Sequence, residues 1–197
     1  MADTISTYLR CFIAIKIPEP IRRDFGEIID RLKKHDADVK WVPVDNIHLT
    51  LKFLGNTPEK LLPKIREYLF NVVLSYNPFY IRIYTTGVFP SRKYPRVVWI
   101  GVGDSEILKR LQIDIENTMV SLGFKKEHKA FKPHLTLGRV RSQRGVMNLV
   151  QALDTFKERD FGTIHVKQIK LMKSELKPQR AEYSCLYEIP LGENTLS

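Results

Sequence analysis

The sequence predicts an α+β fold of two pseudo-twofold-related lobes, with mainly antiparallel sheets lining a central cleft and helices outside. Three observations point there. HLTL is written twice, at residues 48–51 and 134–137. Short apolar or alternating runs switch with stretches of helical period along the chain. These segments also return in order at one offset: 86 residues separate His48 from His134, Arg10 of RCFIAI from Arg96 of RVVWIG, and Ile21 from Ile107. No Gly/Ser linker divides the halves, so residues 1–197 are expected to form a single bilobed domain made by internal duplication.

RCFIAIKI (10–17) is short, apolar and closed by PEP, the pattern of a strand running into a turn. From Pro20 onward, Ile21, Phe25, Ile28, Ile29 and Leu32 share one helical face. NIHLTLKF (46–53) alternates strictly, which puts Ile47, Leu49, Leu51 and Phe53 on one side of a strand and His48, Thr50 and Lys52 on the other. In GNTPEK, Thr57 is expected to cap a helix and Pro58 to open it, with Leu61, Leu62, Ile65, Leu69, Val72 and Val73 as its stripe; Pro63 fits poorly and delays the start. FYIRIYTTGVF (79–89) and RVVWIGVG (96–103) read as strands joined by PSRKYP. The second round brings a helix with Ile107, Leu111, Ile115 and Met119, the second HLTL strand, and a helix with Val146, Leu149, Val150 and Leu153. Strands follow in TIHVKQIKLM (163–172) and EYSCLYEI (182–189).

Composition narrows the class. The chain is 43% hydrophobic and contains no apolar run near the roughly 18 residues of a membrane span. Its start, MADTISTYLRCFIAIKI, lacks the pattern of a secretion signal, so a cytoplasmic location without membrane association is expected. Cys11 and Cys185 each fall in an apolar strand and read as small buried hydrophobes; neither sits in a CxxC or Cys/His cluster, so no disulfide and no structural zinc are expected. The net charge of +10 favours polyanionic partners. The basic residues are scattered in SRKYPR (91–96), KKEHK (125–129), GRVRSQR (138–144) and KSELKPQR (173–180), each of which alone reads as a solvated loop.

The repeated motif carries the chemistry. On a strand, residues i and i+2 project from one face, so each histidine and its threonine point together while the intervening leucines anchor the strand. Packing explains the leucines but does not ask for His and Thr on the polar face of both copies. Across a pseudo-twofold, His48 with Thr50 would face His134 with Thr136. One neutral imidazole could take a proton from an attacking hydroxyl and one imidazolium could protonate a departing oxygen, while the threonines hold nonbridging phosphate oxygens. No metal and no other cofactor is required.

RCFIAIKIP, WVPVDNIHLTLKFLG, VFPSRKYPRVVWIGV and FKPHLTLGRV resemble the RNA 2′,3′-cyclic phosphodiesterases, or 2′-5′ RNA ligases, of the two-histidine phosphoesterase superfamily, over Arg10 to Leu191. The resemblance implies metal-independent opening of a terminal RNA 2′,3′-cyclic phosphate to a 2′-phosphate, on substrates such as transfer-RNA fragments, with 2′-5′ ligation as the reverse displacement. It implies His48 as proton donor, His134 as proton acceptor, and Arg139, five residues after His134, as a phosphate ligand. The pseudosymmetric motif does not itself reveal which histidine is the acid. On an unbroken strand Arg139 would face away from His134, and Gly138 offers a bulge that re-aims it. The first motif has Phe53 at that place, with Lys52 and Lys132 as candidate compensating cations that read first as solvated strand residues.

His35, His128 and His165 read as nonessential. A monomer is expected. A second class of function stays open: a non-catalytic module that binds RNA ends or nucleotides in the same cleft.

Overall fold

The computed structural model describes residues 7–177 and 181–192. The first six residues of the start read above, and the 178–180 end of KSELKPQR, lie outside the described residues. In chain order the elements are β1 (Tyr8–Lys16), α1 (Glu19–Lys33), β2 (Val39–Trp41), β3 (His48–Pro58), α2 (Leu62–Val73), β4 (Phe79–Phe89), β5 (Val97–Val102), α3 (Glu106–Ser121), β6 (His134–Val140), α4 (Val146–Asp154), β7 (Asp160–Val166), β8 (Gln168–Leu176) and β9 (Ala181–Pro190).

The strands form one antiparallel sheet in the order β7-β4-β5-β6-β3-β1-β8-β9, with β2 added on β6. Four strands thus stand on either side of a seam between β6 and β3. The two motif strands meet there through one paired residue each, Leu49 opposite Leu135. Both leucines are fully buried. Replacing either with alanine would cost about 2–5 kcal/mol, the usual range for a large core truncation.

Helices cover the sheet's outer face and cross between lobes. α2 and α3 pack behind β9 and β3, whereas α1 and α4 pack behind β7 and β4. α4 buries the whole stripe its spacing predicts, Val146, Leu149, Val150 and Leu153, and α1 buries Phe25, Ile28, Ile29 and Leu32 of its stripe with Ile21 half-buried. α3 begins at Ser105, whose Oγ accepts from the Leu108 N–H at 3.2 Å.

Several local expectations are corrected. Thr57 does not cap α2: it is buried within β3 and donates to the Gly55 carbonyl at 3.1 Å. β3 runs on to Pro58, a single 3₁₀ turn over Glu59–Leu61 follows, and Pro63 sits in the first turn of α2, where its missing N–H costs nothing. On α3 the buried face holds Leu108 where Ile107 was expected, and Ile107 is exposed. Cys11 is buried but Cys185 is exposed, and both thiols are free. β2 was not anticipated, because three residues are too short to show a period.

Candidate active site

β3 and β6 hold their side chains alike. HLTLKFL and HLTLGRV show the same sequence of half-buried, buried and exposed positions, with His and Thr half-buried and the leucines buried. Extending the Leu49–Leu135 register by one residue each way sets His48 opposite Thr136 and Thr50 opposite His134. The two predicted pairs therefore form a quartet on one face of the sheet, across the seam. Neighbouring strands lie about 4.7–4.9 Å apart where they pair.

A bulge follows each threonine. Ala14 pairs with Thr50 but Ile13 with Lys52, leaving Leu51 extra; Trp99 pairs with Thr136 but Val98 with Gly138, leaving Leu137 extra. One extra residue reverses the alternation, so the fifth residue after each histidine returns to the His/Thr face. Those residues are Phe53, 66% exposed, and Arg139, also exposed. Gly138 is required beneath the second bulge by close approach: a Cβ there would lie 2.6 Å from Val39 Cγ1 and 2.9 Å from Trp41 Cε3.

The bulge at Leu51 overturns the placing of Lys52 on the polar face. Lys52 points into the interior, where its Nζ donates to Glu116 Oε1 at 2.6 Å and to the Lys125 carbonyl at 3.0 Å. Glu116 Oε1 also accepts from the Glu127 N–H at 2.9 Å. This buried pair ties α3 to the segment that leads into β6. Lys132 is exposed, with its Nζ 5.9 Å from the Phe89 ring centroid.

Each imidazole is oriented by the backbone two residues before it. His48 Nδ1–H donates to the Asn46 carbonyl and His134 Nδ1–H to the Lys132 carbonyl, both at 2.7 Å. A carbonyl only accepts, so Nδ1 carries the proton and Nε2, at the far end of the ring, is left to accept or, in the imidazolium, to donate. Neither Nε2 has a hydrogen-bond partner among the described residues, nor has the hydroxyl of Thr50 or Thr136.

The surroundings of the two rings differ. His48 stacks on Phe12 at 4.6 Å and meets the edge of Tyr183 at 5.3 Å. Burial pushes its pKa below the ordinary 6.5, partly opposed by the bond to Asn46. Asn46 also donates through Nδ2 to the Ala181 carbonyl at 2.7 Å, holding the strand that carries Tyr183 against the histidine. A cavity of about 150 Å³ opens beside the ring, lined by Lys16, Lys170, Tyr183 and Cys185 among others. Among the described residues the ring that meets His134 is the edge of Phe89 at 5.1 Å, and Phe89 leans on Trp99 at 5.0 Å.

Sequence reasoning missed Asn46, Phe12, Tyr183 and Phe89. Asn46 had a signal, since it lies two residues before His48 as Lys132 does before His134; the aromatics come from strands remote in sequence. His165 stands on other strands, stacked on Tyr80 at 4.3 Å on β7 and β4. Among the described residues no group of three or more His, Cys, Asp or Glu is placed to hold a metal ion. No described helix is long and apolar enough to cross a membrane.

Comparison with known proteins is consistent along the chain. Residues 17–178 match the family model of the 2′-5′ RNA ligase superfamily. An RNA 2′,3′-cyclic phosphodiesterase of Methanothermobacter thermautotrophicus is 36% identical over 176 residues, covering 89% of this chain and 95% of the relative. One from Methanocaldococcus jannaschii is 36% identical over 180 residues, covering 91% and 99%. Among solved structures, a Thermus thermophilus protein superposes with a TM-score of 0.79 at 30% identity, covering 94% of this chain and all (100%) of that one. Escherichia coli LigT, solved with 3′-AMP, shares the fold with a TM-score of 0.75 at 24% identity, covering 94% and 99%.

Proposed function

The chain belongs to the 2′-5′ RNA ligase superfamily, and from that premise we propose that it opens RNA 2′,3′-cyclic phosphate ends by metal-independent acid–base catalysis between His48 and His134. The observation that carries this reading is the quartet itself: two imidazoles with Nδ1 committed to the backbone and Nε2 free, each opposite a threonine hydroxyl with no other partner.

In this mechanism His134 Nε2 takes a proton from water as its oxygen attacks phosphorus. The bond from phosphorus to the 3′ oxygen breaks, and His48 Nε2–H protonates that oxygen, leaving a 2′-phosphate. Thr50, Thr136 and Arg139 hold the nonbridging oxygens, where negative charge builds in the transition state. The order of acid and base follows the family resemblance. Burial of His48 favours its neutral form in the free protein, so the anionic substrate is what raises its proton affinity on binding, by placing negative charge beside the ring. The same displacement with a 5′ hydroxyl attacking in place of water, its proton going to His134 and the 3′ oxygen leaving with a proton from His48, forms a 2′-5′ linkage.

We read residues 1–197 as one domain that arose by duplication, acting as a cytoplasmic monomer on RNA ends such as transfer-RNA fragments. The test is incubation of the purified protein with a 2′,3′-cyclic nucleotide in the presence of a chelator, with product analysis. Accumulation of the 2′-phosphate is expected. A 3′-phosphate would reverse the proposed regiochemistry, and tight binding without product would make the protein a binding module.

A further inference from the structure

Below the quartet, the next outward-facing position on β6 is Arg139, and the strand β2 places Lys40 directly opposite it. Both side chains are exposed, and neither forms an ion pair with a carboxylate among the described residues. Cations directly across an antiparallel pair repel, since their Cβ atoms lie about 4.5–5.5 Å apart. The pair gains nothing for the fold, so a polyanion with a phosphate for each cation is its natural complement.

The location sharpens this. β2 lies along the same edge of β6 that β3 occupies higher up: Val42 N–H donates to the Leu137 carbonyl at 2.8 Å, between the Trp41–Gly138 pair and the Leu49–Leu135 pair. Val39 and Trp41 crowd the inner side of Gly138, so Lys40, between them, projects to the same face as Arg139, Thr136 and His48. With the bulge at Leu137, Arg139 stands about two residues of rise below Thr136, roughly 7 Å. A chain of phosphates entering the cleft would meet the quartet first and this pair next.

We infer that Lys40, beside Arg139, binds the phosphate on the 5′ side of the terminal nucleotide, so that the cleft takes the end of a single-stranded RNA in preference to a mononucleotide. This rests on the phosphodiesterase reading and adds to it a residue that reads the nucleotide before the reacting end. Arg139 serves the reacting phosphate and Lys40 the one before it.

The experiment compares kcat/KM for a dinucleotide ending in a 2′,3′-cyclic phosphate with that for a mononucleotide 2′,3′-cyclic phosphate lacking a 5′-phosphate. In Lys40→Gln the ratio of the two should fall about tenfold, the scale of one charge-assisted hydrogen bond, and Lys40→Arg should restore it. An unchanged ratio overturns the inference. Should the wild-type protein turn over neither substrate, the phosphodiesterase reading fails on its own. Binding then decides: the log–log salt slope for a short single-stranded RNA carrying a 3′-phosphate should shrink by about 0.7 in Lys40→Gln, the loss of one phosphate contact. An identical slope in the two proteins overturns the subsite independently of catalysis.

Discussion

On β3 the fifth residue after the histidine, Phe53, turns toward a wall made with Phe12 and Tyr183; on β6 the matching residue is Arg139, with Lys40 across from it. The backbone is the same in both: one burial sequence, one Nδ1 bond to the carbonyl two residues back, one bulge after the threonine. The side chains that the bulges re-aim differ: β3 offers an aromatic ring and β6 a cation, and by the Leu49–Leu135 register Arg139 and Lys40 lie beyond Thr136, the residue opposite His48. A symmetric pair of imidazoles has no intrinsic acid and base. Unequal surroundings make the two rings unlike, since burial lowers the proton affinity of His48 in the free protein.

The largest expected effect is shared by the two motif strands. His48→Ala and His134→Ala should each lower turnover of a 2′,3′-cyclic nucleotide by at least about 10²-fold, with an unchanged circular dichroism spectrum; near-wild-type turnover in either would remove acid–base catalysis by the pair. Next comes the brace that only the first motif possesses. Lys52→Met leaves Glu116 buried without its cation and should destabilise the fold by about 3–5 kcal/mol, read from denaturant midpoints. A loss under about 1 kcal/mol, the ceiling for an exposed pair, would mean the Lys52 ammonium is solvated.

Arg139 tests the cation on β6. Arg139→Gln should cost about 10- to 100-fold in kcat/KM, the worth of charge-assisted bonds to phosphate, whereas Phe53→Gln should cost less because that side chain offers no charge. Equal losses would erase the proposed asymmetry. The smallest effect lies in titration. His48 should titrate below 6.5 by NMR, and Tyr183→Ser, which opens the cage to water, should move it upward. Between 6.5 and the lowered value the unfolded chain binds a proton that the folded chain refuses, so stability should fall as pH drops through that window. His48→Gln should flatten the fall; a slope that survives this substitution belongs to another group.

Much of the site was legible because it repeats. His48, Thr50, His134 and Thr136 announce themselves by period-two spacing within strands whose leucines are written alike twice, and α1 and α4 by their stripes. Lys52 and Phe53 were misplaced for the opposite reason: strict alternation assumes one residue per pairing step, and a bulge is an extra residue that shows only when the partner strand, Phe12 to Ala14, is present to count against. Arg139 was reachable because Gly138 hinted at irregularity. Phe12 and Tyr183 were not, since nothing local marks a residue of β1 or β9 as a neighbour of His48.

By itself, then, the chain's order of residues determined the antiparallel α+β plan and which residues are proposed to react, because hydrophobic period and residue type are local properties that survive without knowledge of partners. The packed structure alone decided which side chains join them at the seam and how unlike the two histidines become. Register, bulges and desolvation depend on which strands lie side by side, and that is a property of the whole fold.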